Sequence, residues 1–268
     1  VSLVAKNRPF VGNPRVYGFT TVNFVCISIH KVNNKITMKT RTLTLLLLIS
    51  ALAACTVNGQ DESGTREIPV KEFNRIYVEG GYRVYLYQTD EPFLRIKAPT
   101  QSHIDALDIS FNENNLRLTV ARRQINLSRM ELHIGFRNLE ELHISGGVKL
   151  STDGYVSLDR LTIFTEGAVN GNVKLKSNAV EVISNGGSVF DLEGVTDKLT
   201  VKVAGTGHVN ARELTAKEVV FRVEGLGFGS VHATEELDVR IEGMGKVTYV
   251  GNPNVTRVVE GLGSVKPW

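Results

Sequence analysis

The chain has 268 residues, 42% of them hydrophobic and 22% charged, with 31 basic against 28 acidic side chains and a formal net charge of +3. These fractions are ordinary for a folded protein and exclude a collagenous or wholly disordered class. Residues 1–54 hold seven of the basic residues and no Asp or Glu, so from Cys55 onward 24 basic residues face 28 acidic ones, net −4, which removes any charge-based case for nucleic-acid binding.

The basic excess belongs to a leader. Lys39 and Arg41 form a charged region, Leu43 to Leu52 an apolar core, and Leu52-Ala53-Ala54-Cys55 a small-residue cleavage site, so residues 38–54 read as a secretory signal. The apolar run, roughly ten to twelve residues, is shorter than the ~20 a membrane-spanning helix needs. Leu-Ala-Ala-Cys resembles a bacterial lipobox, which implies lipidation of Cys55 and attachment to a membrane of the cell envelope, expected to be the outer membrane; two or three acyl chains suffice for stable anchoring. Met38 stands where such a signal would begin, so residues 1–37 read as an over-extended reading frame. Cys26 lies in that extension, leaving Cys55 as the single cysteine of the mature chain and no intrachain disulfide. Residues 55–66 are polar and turn-forming and read as a flexible tether, with Gln60-Asp61-Glu62 similar to acidic surface-export signals.

The folded domain is expected over residues 67–268. Ile76 to Leu86 alternates apolar and polar residues across a Gly80-Gly81 turn and reads as a first rung. Phe93–Ala98, Leu107–Phe111, Leu116–Val120 and Met130–Phe136 are further short alternating strands, forming either irregular rungs or a capping sheet, with a helical turn at Ser102–Ala106 and a tight turn at Asn112–Asn115. From Leu139 a repeat becomes regular. Gly146, Gly167, Gly186, Gly205, Gly225, Gly243 and Gly261 follow at steps of 21, 19, 19, 20, 18 and 18, each between two alternating strands. Two short strands and two turns per ~19 residues suit one coil of a parallel β-helix, whose neighbouring strands lie about 4.8 Å apart. An antiparallel barrel or sandwich competes, but it gives no reason for equivalent positions to keep like residues, as in Val223-Glu224-Gly225-Leu226-Gly227, Ile241-Glu242-Gly243-Met244-Gly245 and Val259-Glu260-Gly261-Leu262-Gly263. Arg257 is discordant, since it falls where Val201 and Val239 point inward.

These glycine turns, the Tyr249-Val250-Gly251-Asn252-Pro253 segment, the opening Phe73-x-x-Ile76-x-Val78-x-Gly80 and the lipobox together resemble the bacterial family called putative auto-transporter adhesin, head GIN domain, over about Glu72 to Val265. The resemblance implies a single-domain, all-β, right-handed parallel β-helix (β-solenoid) in a Bacteroidota-type envelope lipoprotein. The family's more usual Gly-Ser-Gly turns are here replaced by others such as Gly-Leu-Gly and Gly-Met-Gly.

Three outward columns are candidate sites. Glu224, Glu242 and Glu260 would stand within about 5 Å of one another on successive coils and form a candidate calcium site, unless Arg222 and Arg240, two residues earlier on the same face, neutralise them. Leu226, Met244 and Leu262 either close a corner of the core or form an exposed apolar strip. Tyr77, Tyr85 and Tyr87, with Arg83 among them, are the candidate glycan contacts, or else pack beneath the 65–73 segment. His133, His143, His208 and His232 lack zinc-ligand spacing, and no His-Glu-x-x-His, phosphate loop or Gly-x-Ser-x-Gly elbow is present. The resulting expectation is a cell-envelope module for adhesion or non-covalent binding of a glycan or protein, without a cofactor. The alternative is a carbohydrate-active enzyme, a polysaccharide lyase or hydrolase, drawing on Asp153, Asp159, Asp191 or Asp197.

Overall fold

The computed structural model describes residues 64–121 and 129–268. Residues 1–37, the signal at 38–54, the lipidation candidate Cys55 and the tether as far as residue 63 lie outside the described residues.

The regular repeat produces parallel stacked coils. Strands β8 (Glu141–Thr152), β9 (Val156–Ser184), β10 (Gly187–Val203), β11 (Thr206–Val223) and β12 (Leu226–Ile241) pair in that order, all parallel, and β12 is followed by β13 (Met244–Val250), β14 (Asn254–Val259) and β15 (Leu262–Pro267). The elements are long because each turns corners without losing its ladder. Every coil has a first face before its turn glycine, as in Leu199↔Val219 and Val219↔Leu237, and a second face after it, as in Val209↔Gly229 and Gly229↔Val247. A third stretch closes the coil, as in Val173↔Leu192. Between β11 and β12 the register jumps from Ala211↔Val231 to Thr215↔His232, which is where the repeat shortens. This parallel pairing excludes the antiparallel barrel for the repeat and gives a β-solenoid of about seven turns.

The glycine column shows why the repeat demands that residue. A β-carbon on Gly167 would collide with the Gly146 carbonyl oxygen, one on Gly186 with that of Gly167, and the relation continues through Gly205, Gly225, Gly243 and Gly261. Each turn backbone therefore sits directly on the one before it, and Gly146 and Gly167 also adopt φ values of 108° and 120° that L side chains avoid.

The amino-terminal strands form the expected first rung, since β2 (Arg75–Gly80) and β3 (Arg83–Gln88) pair parallel with β8 through Gly80↔Gly146 and Val84↔Leu150. The 93–136 portion proves to be both of the alternatives at once. Its strands β6 (Asn115–Val120) and β7 (Glu131–Phe136) add another parallel rung on the opposite edge, through Ile76↔Leu116 and Val84↔Leu132. The rest caps that rung in antiparallel fashion: β5 (Leu107–Asn112) joins β6 in a hairpin turned by Glu113 at φ 53°, β4 (Phe93–Ala98) pairs with β7, and β1 (Gly64–Ile68) pairs with β4. Strand β1 opens at Gly64, ahead of the expected start at Glu67. A short helical turn, α1 (Gln101–Ile104), buries Ile104.

Period-two alternation places one set of side chains in a continuous core that runs from Phe73 to Val265 among the described residues. Arg257 keeps its inward register opposite Val239, and its guanidinium Nη1 donates to the Val265 carbonyl at 3.0 Å, so the charge ends on backbone in the last coil. No helix among the described residues is long and apolar enough to cross a membrane.

Candidate functional site

Because the coils are in register, each outward position becomes a column of side chains. The amino-terminal tyrosines divide between two faces. On the first, Tyr77 is framed by its register partners: the Arg117 guanidinium lies 4.0 Å from its ring centroid, the His143 ring 4.8 Å away on the other side, and Phe164 continues the stack 6.0 Å beyond His143. On the second face, Tyr85 stacks on His133 at 4.8 Å with 15° between the rings, and Tyr87 hydrogen-bonds His133 Nδ1 at 2.9 Å. Arg83 pairs with Glu131 at 3.5 Å. The three tyrosines are half-buried, with ring surface already against histidine. Burial, helped by Lys97, lowers the His133 pKa, and burial raises that of Tyr87. Arg83 and Tyr85 remain together on a groove of about 290 Å³ with Lys149, Ser151, Asn170 and Asn172.

The glutamate column is present and carries its own counter-charge. Glu224, Glu242 and Glu260 are exposed at successive coil positions, and the Arg240 guanidinium bonds Glu242 through Nε and Glu260 through Nη2, the latter at 3.1 Å. Arg222 turns to Asp238 instead. Among the described residues, no three His, Cys, Asp or Glu side chains are grouped so as to hold a metal ion. In the neighbouring column Met244 and Leu262 are 51% and 72% exposed while Leu226 is half-buried, so this column is a partly wet corner.

The aspartates considered for hydrolytic chemistry engage different partners. Asp159 accepts from Asn178 at 2.6 Å, Asp191 from Asn210 at 2.9 Å, and Asp197 pairs with Lys217 at 2.6 Å. Tyr155, on the third stretch, donates to Glu193, which Lys174 also engages at 2.8 Å; these bonds raise the Tyr155 and Lys174 pKa values and lower that of Glu193.

A second groove, missed by the sequence reading, lies on the second face of the last coils. His208, Phe228 and Lys246 form one column, and Asn210, Ser230 and Thr248 the next. With Arg212, Gly229 and Trp268 they line a depression of about 330 Å³. Phe228 and Trp268 are 41% and 70% exposed, and the Arg212 guanidinium lies 4.4 Å from the Trp268 ring centroid. The signal was available: counting from the turn glycines puts Phe228 and Lys246 at one outward position and Asn210 and Ser230 at another. Trp268, beyond the last glycine turn, could be placed only with the coil it lies against.

A family model described as putative auto-transporter adhesin, head GIN domain, matches residues 72–253. No curated protein matches the chain. Among solved structures, a putative adhesin from Bacteroides fragilis is similar with a TM-score of 0.72 at 24% identity, a putative lipid binding protein from Parabacteroides distasonis with 0.61 at 20%, and a putative adhesin from Parabacteroides merdae with 0.61 at 19%. Each comparison covers 78% of this chain and 98% of the other. At these identities the likeness shows a shared fold.

Proposed function

The chain belongs to the family described as putative auto-transporter adhesin, head GIN domain, and from that membership we propose that it is a lipid-anchored adhesion or binding module of the cell envelope. Cys55 is its attachment point in the outer membrane, and the solenoid holds solvent-facing columns toward a glycan or protein ligand. The observation that carries this reading is the register itself. From Glu141 to Pro267 the same outward positions recur coil upon coil, so binding groups stand at fixed spacing on a rigid parallel sheet rather than on loops. The names of the solved relatives, adhesins and a lipid binding protein, agree with non-covalent binding.

Two measurements test the proposal. Cells expressing the full chain should carry it in the membrane fraction with incorporated palmitate, and Cys55→Ser should abolish both. Those cells should also adhere to surfaces coated with envelope or host glycans more strongly than cells lacking the chain. Unlabelled chain in the soluble fraction would overturn the anchor, and equal adhesion across the coatings would overturn the binding role.

A further inference from the structure

The carboxy-terminal groove differs from the rest of the sheet in how its charges are satisfied. On the first face of the adjacent coils, Lys202 pairs with Glu181, Arg222 with Asp238, and Arg240 with Glu242 and Glu260. On the second face, Arg212 and Lys246 enter none of the ion pairs among the described residues, nor does Lys266, which lies against Thr248 one coil further on. The one carboxylate in the adjoining column, Asp191, is engaged by the Asn210 amide. His208 is also at the groove. With three cations against Asp191 the site therefore keeps a cationic surplus, whereas on the neighbouring face Lys202, Arg222 and Arg240 each meet a carboxylate, and the groove is complementary to an anion.

Its remaining surface is of two kinds. Phe228 and Trp268 are large aromatics left partly in water, each forgoing burial that would stabilise the fold. Their flat apolar faces suit the C–H face of a sugar ring. Between their columns lie the half-buried Asn210 amide and Ser230 hydroxyl, the latter bonded at 3.0 Å to the buried Thr248 hydroxyl, which also donates to the Gly229 carbonyl at 3.3 Å. A protein apolar patch would not need the polar row, and a simple phosphate would not need the aromatics.

We propose that this groove binds an acidic polysaccharide, with a ring stacked on Phe228 or Trp268, ring hydroxyls on Asn210 and Ser230, and a uronate-type carboxylate held by Arg212 and Lys246. This rests on the adhesion reading above and gives that reading a ligand class and a site. The aromatic contacts supply affinity, and the cations supply the preference for a charged chain over a neutral one.

The test uses the chain from Cys55 onward carrying Cys55→Ser, which retains the whole of the compact unit Gly59–Trp268. Its affinity for polygalacturonate oligosaccharide, neutral dextran oligosaccharide and phosphatidylglycerol vesicles is measured by calorimetry, with melting temperature as the folding control. Binding is expected for the polygalacturonate alone, weakening with added salt. Phe228→Ala and Trp268→Ala should each weaken it up to about tenfold. Lys246→Gln, which spares the aromatics and the core, and Arg212→Gln, which also removes the guanidinium from the Trp268 ring, should each weaken it and lessen its salt dependence. Val195→Ser, on an exposed position outside the groove lining, should leave it unchanged.

Equal affinity for dextran would overturn the acidic specificity. Undiminished polygalacturonate binding in Arg212→Gln and Lys246→Gln at unchanged melting temperature would overturn the site while leaving a binding module. Groove-dependent capture of vesicles without oligosaccharide binding would replace the polysaccharide with an anionic lipid surface. If the wild-type chain binds no polygalacturonate, the ligand class fails, and whether the adhesion reading fails with it is read separately from the cell adhesion assay.

Discussion

Gly147 and Gly167 occupy neighbouring columns and should respond oppositely to the same substitution. A β-carbon on Gly147 meets nothing within 4 Å, and its register partner on the next coil is already Ala168. Gly167 combines a positive φ with the collision against the Gly146 carbonyl. In urea denaturation, Gly147→Ala should leave stability unchanged or raise it by up to about 1 kcal/mol, whereas Gly167→Ala should lower it by about 1–3 kcal/mol or more. Equal effects would mean that the turn backbones do not stack as closely as described. His133 offers a pH test. Its folded pKa lies below the 6.5 of an unperturbed histidine, chiefly through burial. Over the interval between those two values the unfolded chain binds more protons, so the stabilising contribution is complete above 6.5 and is lost as pH falls from 6.5 through the folded value. His133→Phe, which keeps a ring against Tyr85, should start from a lower melting temperature because it loses the Tyr87 bond, yet fall less as the solution is acidified below pH 6.5. Parallel pH profiles for the two proteins would contradict this.

Within single elements, packing couples glycines to aromatics. The Phe190 ring on β10 fills the space beside Gly171 on β9, its register partner, so a β-carbon there would strike the ring. Gly171→Ala should destabilise by about 1–3 kcal/mol, and the penalty should shrink when combined with Phe190→Leu. A double-mutant cycle is expected to give a coupling above about 0.5 kcal/mol, and additivity would show that the ring can move aside at no cost. The strands themselves were legible in the sequence because alternation and the glycine step are local signals that agree with each other. The placement of β6 and β7 was not. Their register partners in β2 and β3 lie 40 and 48 residues earlier in the chain (Ile76↔Leu116, Val84↔Leu132), and no Gly-x-Gly turn joins them, so the extra rung has none of the periodic signature of the others. The fate of the tyrosines was hidden for the same reason. That Tyr77 meets His143 and Tyr85 meets His133 follows from register across an interrupted repeat, and alternation could only say that these rings leave the core.

The described unit is a one-dimensional array, in which each coil is held mainly by the coils on either side of it, so stability need not be uniform along it. At its amino-terminal end the first rung is covered by β6 and β7, and these in turn by β5 and β4. At the other end, among the described residues, β14 pairs only with β12, and β15 only with β13. The inward-register Val259 is 39% exposed there, while its equivalents Val203, Val223 and Ile241 are buried at 1%, 1% and 0%. Arg257, standing in a core register, is held by one backbone acceptor in that same coil. This last coil therefore has about half the lateral contacts of an interior one and an ionised group in place of an apolar one. Hydrogen exchange should find residues 254–267 the least protected of the repeat, residues 199–241 the most, and the capped 75–88 rung nearer to the interior coils than to the terminal one. A ligand seated in the groove bridges the coils that carry Asn210, Ser230, Thr248 and Trp268, and so should slow exchange in the last coil more than elsewhere. Uniform protection along the array would instead show that the coils unfold as a single cooperative unit, with the arginine-capped end as stable as the middle.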